Sequence, residues 1–132
     1  LEEMQQKRVK IAAKYQAAFQ PCDALDPPFV PDYTTHCWHL YVLRIVPENL
    51  TIDRDQFIVE LNNRNVGTSV HFIPVTQMSY YVNRYGFKKG DFPNTDKHFA
   101  RIISLPLYPT MTDEQVQYVI DAVLDIVEKY HK

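Results

Sequence analysis

The feature that most constrains the fold is a run of aromatic and β-branched residues, HCWHLYVLRI, at positions 36–45. Such a run, bounded by Pro47, is the strongest strand signal in the chain. Because side chains alternate along a strand, one face would carry Trp38, Leu40 and Val42, and the other His39, Tyr41, Leu43 and Ile45. Both faces are largely apolar. The run therefore predicts a central strand covered on both sides, by the chain's own helices or by a partner.

Two segments precede this strand. Apolar residues at helical spacing, Ile11, Tyr15 and Phe19, predict a helix over residues 1–19. Four prolines between positions 21 and 35 then predict an extended surface connection, because proline cannot continue a helix or a central strand.

Two later helices carry explicit start signals. Asp53 followed by Gln56 is a variant of the capping box, and Thr112 followed by Gln115 is a second box. A continuous apolar stripe after Thr112 makes the last helix the clearest element, with Val116, Val119, Ile120, Val123, Val127 and Tyr130 on one face.

The segments between these helices are weaker. We predict short strands at 68–73 and 103–107, the latter at a sheet edge because it contains Pro106. Residues 76–94 are predicted to be loop with at most one helical turn. Thr95 is predicted to cap a helix that runs through Phe99 and Ile102. The resulting alternation fits either a parallel α/β sheet or a small α+β domain with helices on one sheet face.

Charge and composition exclude several classes of function. The net charge of −2 and the lack of a basic block argue against nucleic acid binding. No apolar run is long enough to span a bilayer, so no membrane association is expected. Three glycines cannot form a GxGxxG or Walker loop. The cysteines, Cys22 and Cys37, match no zinc or redox spacing and predict reduced thiols in a cytoplasmic protein.

Histidines supply the candidates for chemistry. His36, Cys37 and His39 raise a metal hypothesis, but on a strand His36 points away from the other two, and two ligands do not form a zinc site. A cysteine nucleophile, Cys22 or Cys37 with His71 or His98, has no activating element beside it.

His71 is the better candidate for a functional residue. It ends a short predicted strand before Pro74 and a tyrosine-rich loop, a typical rim for ligand binding.

The order of short segments along the chain resembles the C-terminal small domain of the DegT/StrS-type sugar aminotransferases, a branch of the fold type I pyridoxal phosphate enzymes. Each segment is weak alone, but their order and spacing cover nearly the whole chain. The matching segments are RVKIAAKY at 8–15, WHLYVLR at 38–44, RDQF at 54–57, VHFIP at 70–74, YGF at 85–87, GDFPNT at 90–95 and ISLPLYP at 103–109, together with Leu61, Gly67, Met111 and Thr112.

This resemblance implies an α+β fold, with a short, mostly antiparallel three-stranded sheet covered by helices. Residues 1–19 would be a linker helix and residues 35–132 the body of one C-terminal domain. The large N-terminal domain that binds the cofactor would be absent from this chain. The first residue, Leu1, lies inside a helical pattern and fits the same expectation of a fragment.

The resemblance also implies a reaction, the transfer of an amino group from an amino acid, usually glutamate, to a nucleotide-linked keto-sugar. Pyridoxal phosphate would be the cofactor of the full-length homodimer, with its Schiff-base lysine in the large domain. The fragment alone is expected to bind no cofactor and to be inactive, with no catalytic or metal-binding residue of its own. Substrate contacts are expected from His71, Phe72 and Tyr81.

One departure from the family pattern keeps alternatives open. Relatives commonly carry a second histidine shortly after the strand-ending proline, where this chain has Val75 and Thr76. The alternatives are a pyridoxal phosphate-dependent sugar dehydratase of the same fold, and a binding or interaction module without chemistry.

Overall fold

Five α-helices and three short strands make up the structure, a computed structural model that describes residues 1–132. Two 3₁₀ turns, Pro47–Asn49 and Val75–Gln77, lie between them. In chain order the elements are α1 (Glu2–Phe19), β1 (Leu25–Asp26), β2 (Tyr41–Ile45), α2 (Arg54–Asn63), α3 (Ser79–Tyr85), α4 (Pro93–Phe99), β3 (Ile102–Leu105) and α5 (Asp113–Tyr130).

The three strands form one antiparallel sheet in the order β1-β2-β3. Tyr41 pairs with Leu105 and Arg44 with Ile102, so β2 is central and β3 lies at an edge. The α+β class is therefore confirmed, and so are the central strand and the edge strand. The parallel α/β alternative is wrong.

One face of the sheet forms the core. Tyr41, Leu43 and Ile45 point into it and are fully buried, together with residues from α1, α2 and α5. The Tyr15 ring from α1 packs edge-on against Tyr41 with ring centroids 5.0 Å apart. Burial in this apolar core raises the pKa of the Tyr15 and Tyr41 hydroxyls.

The opposite face carries Val42, Arg44, Ile102 and Ser104, since these residues alternate with the core residues and pair across β2 and β3. Ile102 and Ser104 are buried, whereas Val42 and Arg44 remain half-buried. The prediction that both faces of the central strand are covered is therefore confirmed for the core face and only partly for the opposite face.

The helix starts predicted from capping boxes are confirmed. Asp53 Oδ1 accepts a hydrogen bond from the Gln56 N–H at 2.8 Å, and Gln56 Oε1 accepts one from the Asp53 N–H at 3.0 Å. Thr112 and Gln115 make the same reciprocal pair at the start of α5. The helix predicted over residues 1–19 is present as α1, and Pro21 follows its end.

The central strand is shorter than predicted, because it begins at Tyr41 and not at His36. Its partner β3 ends at Leu105, where Pro106 offers no N–H to continue the pairing. The chain instead turns at Trp38, which has φ of +48°. The Trp38 ring stacks on Tyr41 with centroids 5.7 Å apart, and this contact fixes the turn against the core.

The predicted strand at 68–73 is also wrong. Only Ser69 pairs with β3, through two backbone hydrogen bonds with Ser104 of 3.3 and 2.8 Å. Sequence reasoning also missed β1, a two-residue strand inside the proline-rich connection. The Ser69 bridge and β1 each involve only one or two residues. Each depends on a partner that is distant in sequence, so neither leaves a periodic pattern.

The segment predicted as loop contains a full helix, α3, which ends at Gly86 in the left-handed conformation with φ of +72°. The helix predicted to be capped by Thr95 begins earlier, at Pro93, whose fixed φ suits the first turn of a helix. It ends at Phe99 and does not reach Ile102.

Arg54 links this region to α2, because its Nη1 donates to the Ile102 carbonyl at 3.3 Å and its guanidinium lies 5.0 Å from the Phe99 ring centroid.

Glu60 ties α2 to α5. Its carboxylate accepts hydrogen bonds from Arg64 Nη1 at 2.6 Å and from Tyr130 Oη at 2.8 Å, with Lys129 Nζ at 3.5 Å. These donors, Arg64 first, lower the pKa of Glu60 to about 2.

We expect Glu60→Gln to lower the melting temperature at neutral pH. The unfolded pKa of a glutamate is about 4.3, so this stabilisation is complete above that pH and is lost as the pH falls towards about 2. Thermal unfolding across this range should show the two melting curves converging in acid. Glu128→Gln, at an exposed site on α5, is the control, and equal behaviour of the two variants would contradict the account.

Candidate functional site

His71 is held against the sheet by one buried side chain. Its Nδ1 lies 2.8 Å from Ser104 Oγ, and Ser104, on β3, is only 5% exposed. The backbone pairing of Ser69 with Ser104 holds the chain just before His71 in place. The imidazole is therefore held at Nδ1, and the chain that leads to it is held at Ser69.

The other ring nitrogen of His71, Nε2, makes no hydrogen bond within the chain. His71 and Ser104 both line a shallow groove of about 220 Å³ beside the end of β3. The remaining lining residues are His39, Leu40, Gly67, Thr68, Ser69, Leu105, Pro106 and Leu107. A ligand in this groove could donate to Nε2 or accept from it, depending on the tautomer.

Thr68 carries a hydroxyl that is closed off from solvent. Its Oγ1 is buried, lies in a groove-lining residue and has no hydrogen-bond partner within the chain. A second such atom, Nε of Arg8, lies outside the groove, so this unpaired hydroxyl does not by itself indicate a ligand.

The three residues predicted to contact substrate are not all brought together. Phe72 stands next to His71 with its ring edge-on at 4.8 Å, but its side chain is 72% exposed and does not line the groove. Tyr81 lies on α3 and is half-buried, away from the groove lining. Sequence reasoning missed Ser104 and Thr68.

Tyr81 belongs instead to a row of aromatic rings along α3 and the following loop. Neighbouring ring centroids are 5.3 to 6.2 Å apart, in the order Tyr80, Tyr81, Tyr85, Phe87 and Phe92. The segment before α3 also exposes apolar side chains, at Phe72, Ile73, Val75 and Met78. We call the whole of this surface the aromatic band. Exposed apolar surface of this kind is typical of a protein–protein contact.

The structure also places the other candidates from the sequence. His36 Nδ1 accepts a hydrogen bond from the Trp38 N–H at 2.9 Å. No group of three or more His, Cys, Asp or Glu side chains is arranged to hold a metal ion. Both Cys22 and Cys37 are free thiols. No helix is long and apolar enough to cross a membrane.

Comparison with solved structures defines the class of protein. The pyridoxal phosphate form of a sugar aminotransferase described as putative, Spr1654 from Streptococcus pneumoniae, superimposes with a TM-score of 0.85 and 28% sequence identity. The match covers 96% of this chain and 32% of that one. The fold is thus that of about one third of a pyridoxal phosphate-dependent aminotransferase.

Sequence comparison then gives the family. Residues 1–124 match the model of the DegT/DnrJ/EryC1/StrS aminotransferase family, and the chain belongs to this family. This confirms the resemblance derived from the ordered segments.

Two curated relatives illustrate the similarity. The spore coat polysaccharide biosynthesis protein SpsC of Bacillus subtilis (strain 168) is 47% identical over 129 residues, which are 97% of this chain and 33% of SpsC. The UDP-4-amino-4-deoxy-L-arabinose–oxoglutarate aminotransferase of Shewanella sediminis (strain HAW-EB3) is 34% identical over 130 residues, 95% of this chain and 34% of that protein. The chain spans about one third of the length of these relatives.

Proposed function

We propose that the protein containing this chain is a pyridoxal phosphate-dependent sugar aminotransferase. In this proposal the chain is its C-terminal domain and forms one wall of the cleft in which the sugar binds. The observation that carries the proposal is the family match over residues 1–124, combined with a groove in which His71 presents a free ring nitrogen.

We further propose a nucleotide-linked keto-sugar as acceptor and glutamate as amino donor. Support comes from the Shewanella relative, whose name specifies a UDP-linked sugar and oxoglutarate, the keto acid of glutamate. The name of SpsC supports a role in polysaccharide biosynthesis.

The His71 groove does not offer the groups that would hold the cofactor. No lysine or arginine lines the groove, so the groove supplies neither a Schiff-base amine nor the cations that would hold a phosphate. Pyridoxal phosphate, when bound by the full-length enzyme, supplies the electron sink for amino transfer. We therefore propose that the cofactor is held outside this chain and that the isolated fragment is inactive.

The contribution of this chain is to bind and orient the sugar. His71 Nε2 would form a hydrogen bond with a hydroxyl or carbonyl oxygen of the substrate. Phe72 and Tyr81 remain proposed substrate contacts. Their position on or beside the aromatic band would place them where this surface meets the rest of the enzyme.

Ser104 would act through His71 as a positioning residue. We expect Ser104→Ala in the full-length enzyme to reduce kcat/KM roughly two- to twelvefold, because one hydrogen bond of about 0.5–1.5 kcal/mol no longer orients the ring. Ser104→Thr, which keeps the hydroxyl, should recover most of this loss. Ser79→Ala serves as the matched control, since Ser79 is exposed and lies outside the groove. Equal kcat/KM for Ser104→Ala and wild type would contradict the positioning role.

We also propose that the full-length protein is a cytoplasmic homodimer. Support for the dimer comes from the aromatic band, which leaves Phe72, Tyr80 and Tyr85 between 61% and 72% exposed in the chain alone. Contact with the large domain or with a second subunit would remove this apolar area from water.

The reaction is tested by incubating the full-length enzyme with ¹⁵N-labelled glutamate and a panel of nucleotide-linked keto-sugars. Mass spectrometry is expected to find the ¹⁵N label on the sugar and oxoglutarate in the medium. A sugar that loses oxygen without gaining ¹⁵N would identify a dehydratase. No turnover of any keto-sugar by a folded, cofactor-loaded protein would favour a binding module.

A further inference from the structure

A second site lies on the same sheet face as the groove, at the other end of β2. It is a pocket of about 300 Å³ that is lined entirely by polar side chains, which we call the cationic pocket. Its residues are Asp26, Arg44, Asn94, Lys97, His98 and Arg101. We propose that the cationic pocket binds a phosphate-sized anion, either free phosphate or the phosphoryl group of a small molecule.

The charge of the pocket is unbalanced. Arg44 binds Asp26 through two hydrogen bonds of 2.8 Å each, from Nε and Nη2. Arg101 Nη2 lies 3.6 Å from the same carboxylate. Lys97 adds a third permanent cation and has no ion-pair partner in the chain. One carboxylate thus faces three cations, which leaves two positive charges without a counter-ion.

The two guanidinium groups are fixed before any ligand arrives. Arg44 Nη2 also donates to the Pro27 carbonyl at 3.3 Å, and Arg101 Nε donates to the Ile45 carbonyl at 2.8 Å. Their side chains are only 28% and 19% exposed, so solvent screens them less than surface charges. A ligand would therefore meet an ordered, partly desolvated pair of cations.

Hydrogen-bond donors remain unused around this pair. Nη1 of Arg44 and Nη1 of Arg101 have no acceptor within the chain, and neither do the Asn94 amide and the Lys97 ammonium. Arginine donors fit the oxygens of phosphate with good geometry, and a lysine adds a mobile point charge. The absence of any apolar lining residue argues against an apolar ligand.

The placement of the pocket separates it from the groove. Arg44 and Val42 lie on one sheet face, and Ser104, the partner of His71, pairs with Val42. Two residues along a strand span about 7 Å, so the pocket is adjacent to the groove but built from different side chains. A phosphate there does not require any contact with His71.

The test is calorimetric titration of the full-length protein with inorganic phosphate, using wild type and Lys97→Gln. Lys97 is exposed and unpaired, so its replacement should leave the fold intact. We expect wild type to bind phosphate and the variant to bind it about tenfold more weakly, the effect of losing one charge-assisted hydrogen bond. Lys88→Gln, which removes an exposed lysine outside the pocket, should bind as wild type does.

Steady-state kinetics of wild type and Lys97→Gln distinguishes the two sources of the anion. If the pocket holds a phosphoryl group of the sugar substrate, Lys97→Gln also raises KM for that substrate, and phosphate competes with it. If it holds free phosphate, KM is unchanged while phosphate affinity still falls. Phosphate binding that is absent, or that is equal in Lys97→Gln and Lys88→Gln, would overturn the proposal.

Discussion

Replacement of His71 by alanine is expected to lower kcat/KM of the full-length enzyme roughly ten- to hundredfold and to leave the fold intact. The reason is the loss of one hydrogen bond to a polar or charged substrate group, worth about 1.5–3 kcal/mol. Steady-state kinetics with the nucleotide-linked sugar measures the loss, and thermal unfolding of the same preparation tests the fold.

Two further variants of His71 distinguish the contributions of its two ring nitrogens. Asparagine places a polar atom near the Nδ1 position that faces Ser104, whereas glutamine reaches the Nε2 position. His71→Gln should therefore retain more activity than His71→Asn. His36→Ala, which alters an exposed histidine outside the groove, is the control. Unchanged kcat/KM with a lower melting temperature would identify His71 as a packing residue.

Phe57→Ala is expected to give the largest loss of stability, about 3–5 kcal/mol for truncation of a buried phenylalanine. Phe57 is fully buried on α2, directly after Gln56 of the capping box, and belongs to the core cluster that joins the sheet to α5. A cavity at this point would loosen α2 and α5 together.

Hydrogen exchange of the α2 amides, measured by mass spectrometry on the full-length protein, reports this local stability. Phe57→Ala should speed exchange in α2 by more than a hundredfold, which is the factor that corresponds to a loss of about 3 kcal/mol in stability. Val59→Ala is the matched control on the same helix, because Val59 is 56% exposed. Similar exchange in both variants would contradict the assignment of Phe57 to the core.

The parts of the fold that the sequence predicted well are those set by local signals. Asp53 with Gln56, and Thr112 with Gln115, fix helix starts through hydrogen bonds three residues apart. The apolar stripe after Thr112 predicts its helix from helical periodicity alone. Strand ends depend on a distant partner, and so the sequence pattern starting at His36 overestimated β2, which stops pairing where Pro106 ends β3.

The same distinction applies to the candidate site. His71 was identifiable from its neighbours in sequence, because it precedes Pro74 and a tyrosine-rich segment. Its partner Ser104 is 33 residues away and sits in an apolar strand, where a serine carries no special signal. The cationic pocket draws on residues from Asp26 to Arg101, so only the folded chain brings its charges together.

The aromatic residues show a further limit of sequence reasoning. The tyrosine-rich composition after Pro74 predicts a rim between positions 80 and 85, but composition does not separate the groove from the neighbouring surface. The structure puts these tyrosines in a row on α3, where Tyr80 packs edge-on against Tyr81 and Tyr81 stacks on Tyr85 with ring centroids 6.2 Å apart. Strand direction was equally open until the pairing of Tyr41 with Leu105 was known.

The central claim, that the His71 groove forms part of the sugar-binding cleft, is tested most directly by chemical protection. Diethyl pyrocarbonate modifies accessible neutral imidazole nitrogens, and peptide mass mapping reports the extent at each histidine. In the full-length enzyme, the nucleotide-linked sugar is expected to protect His71 and to leave His36, outside the groove, as reactive as before. Equal modification of His71 with and without saturating sugar would contradict the claim.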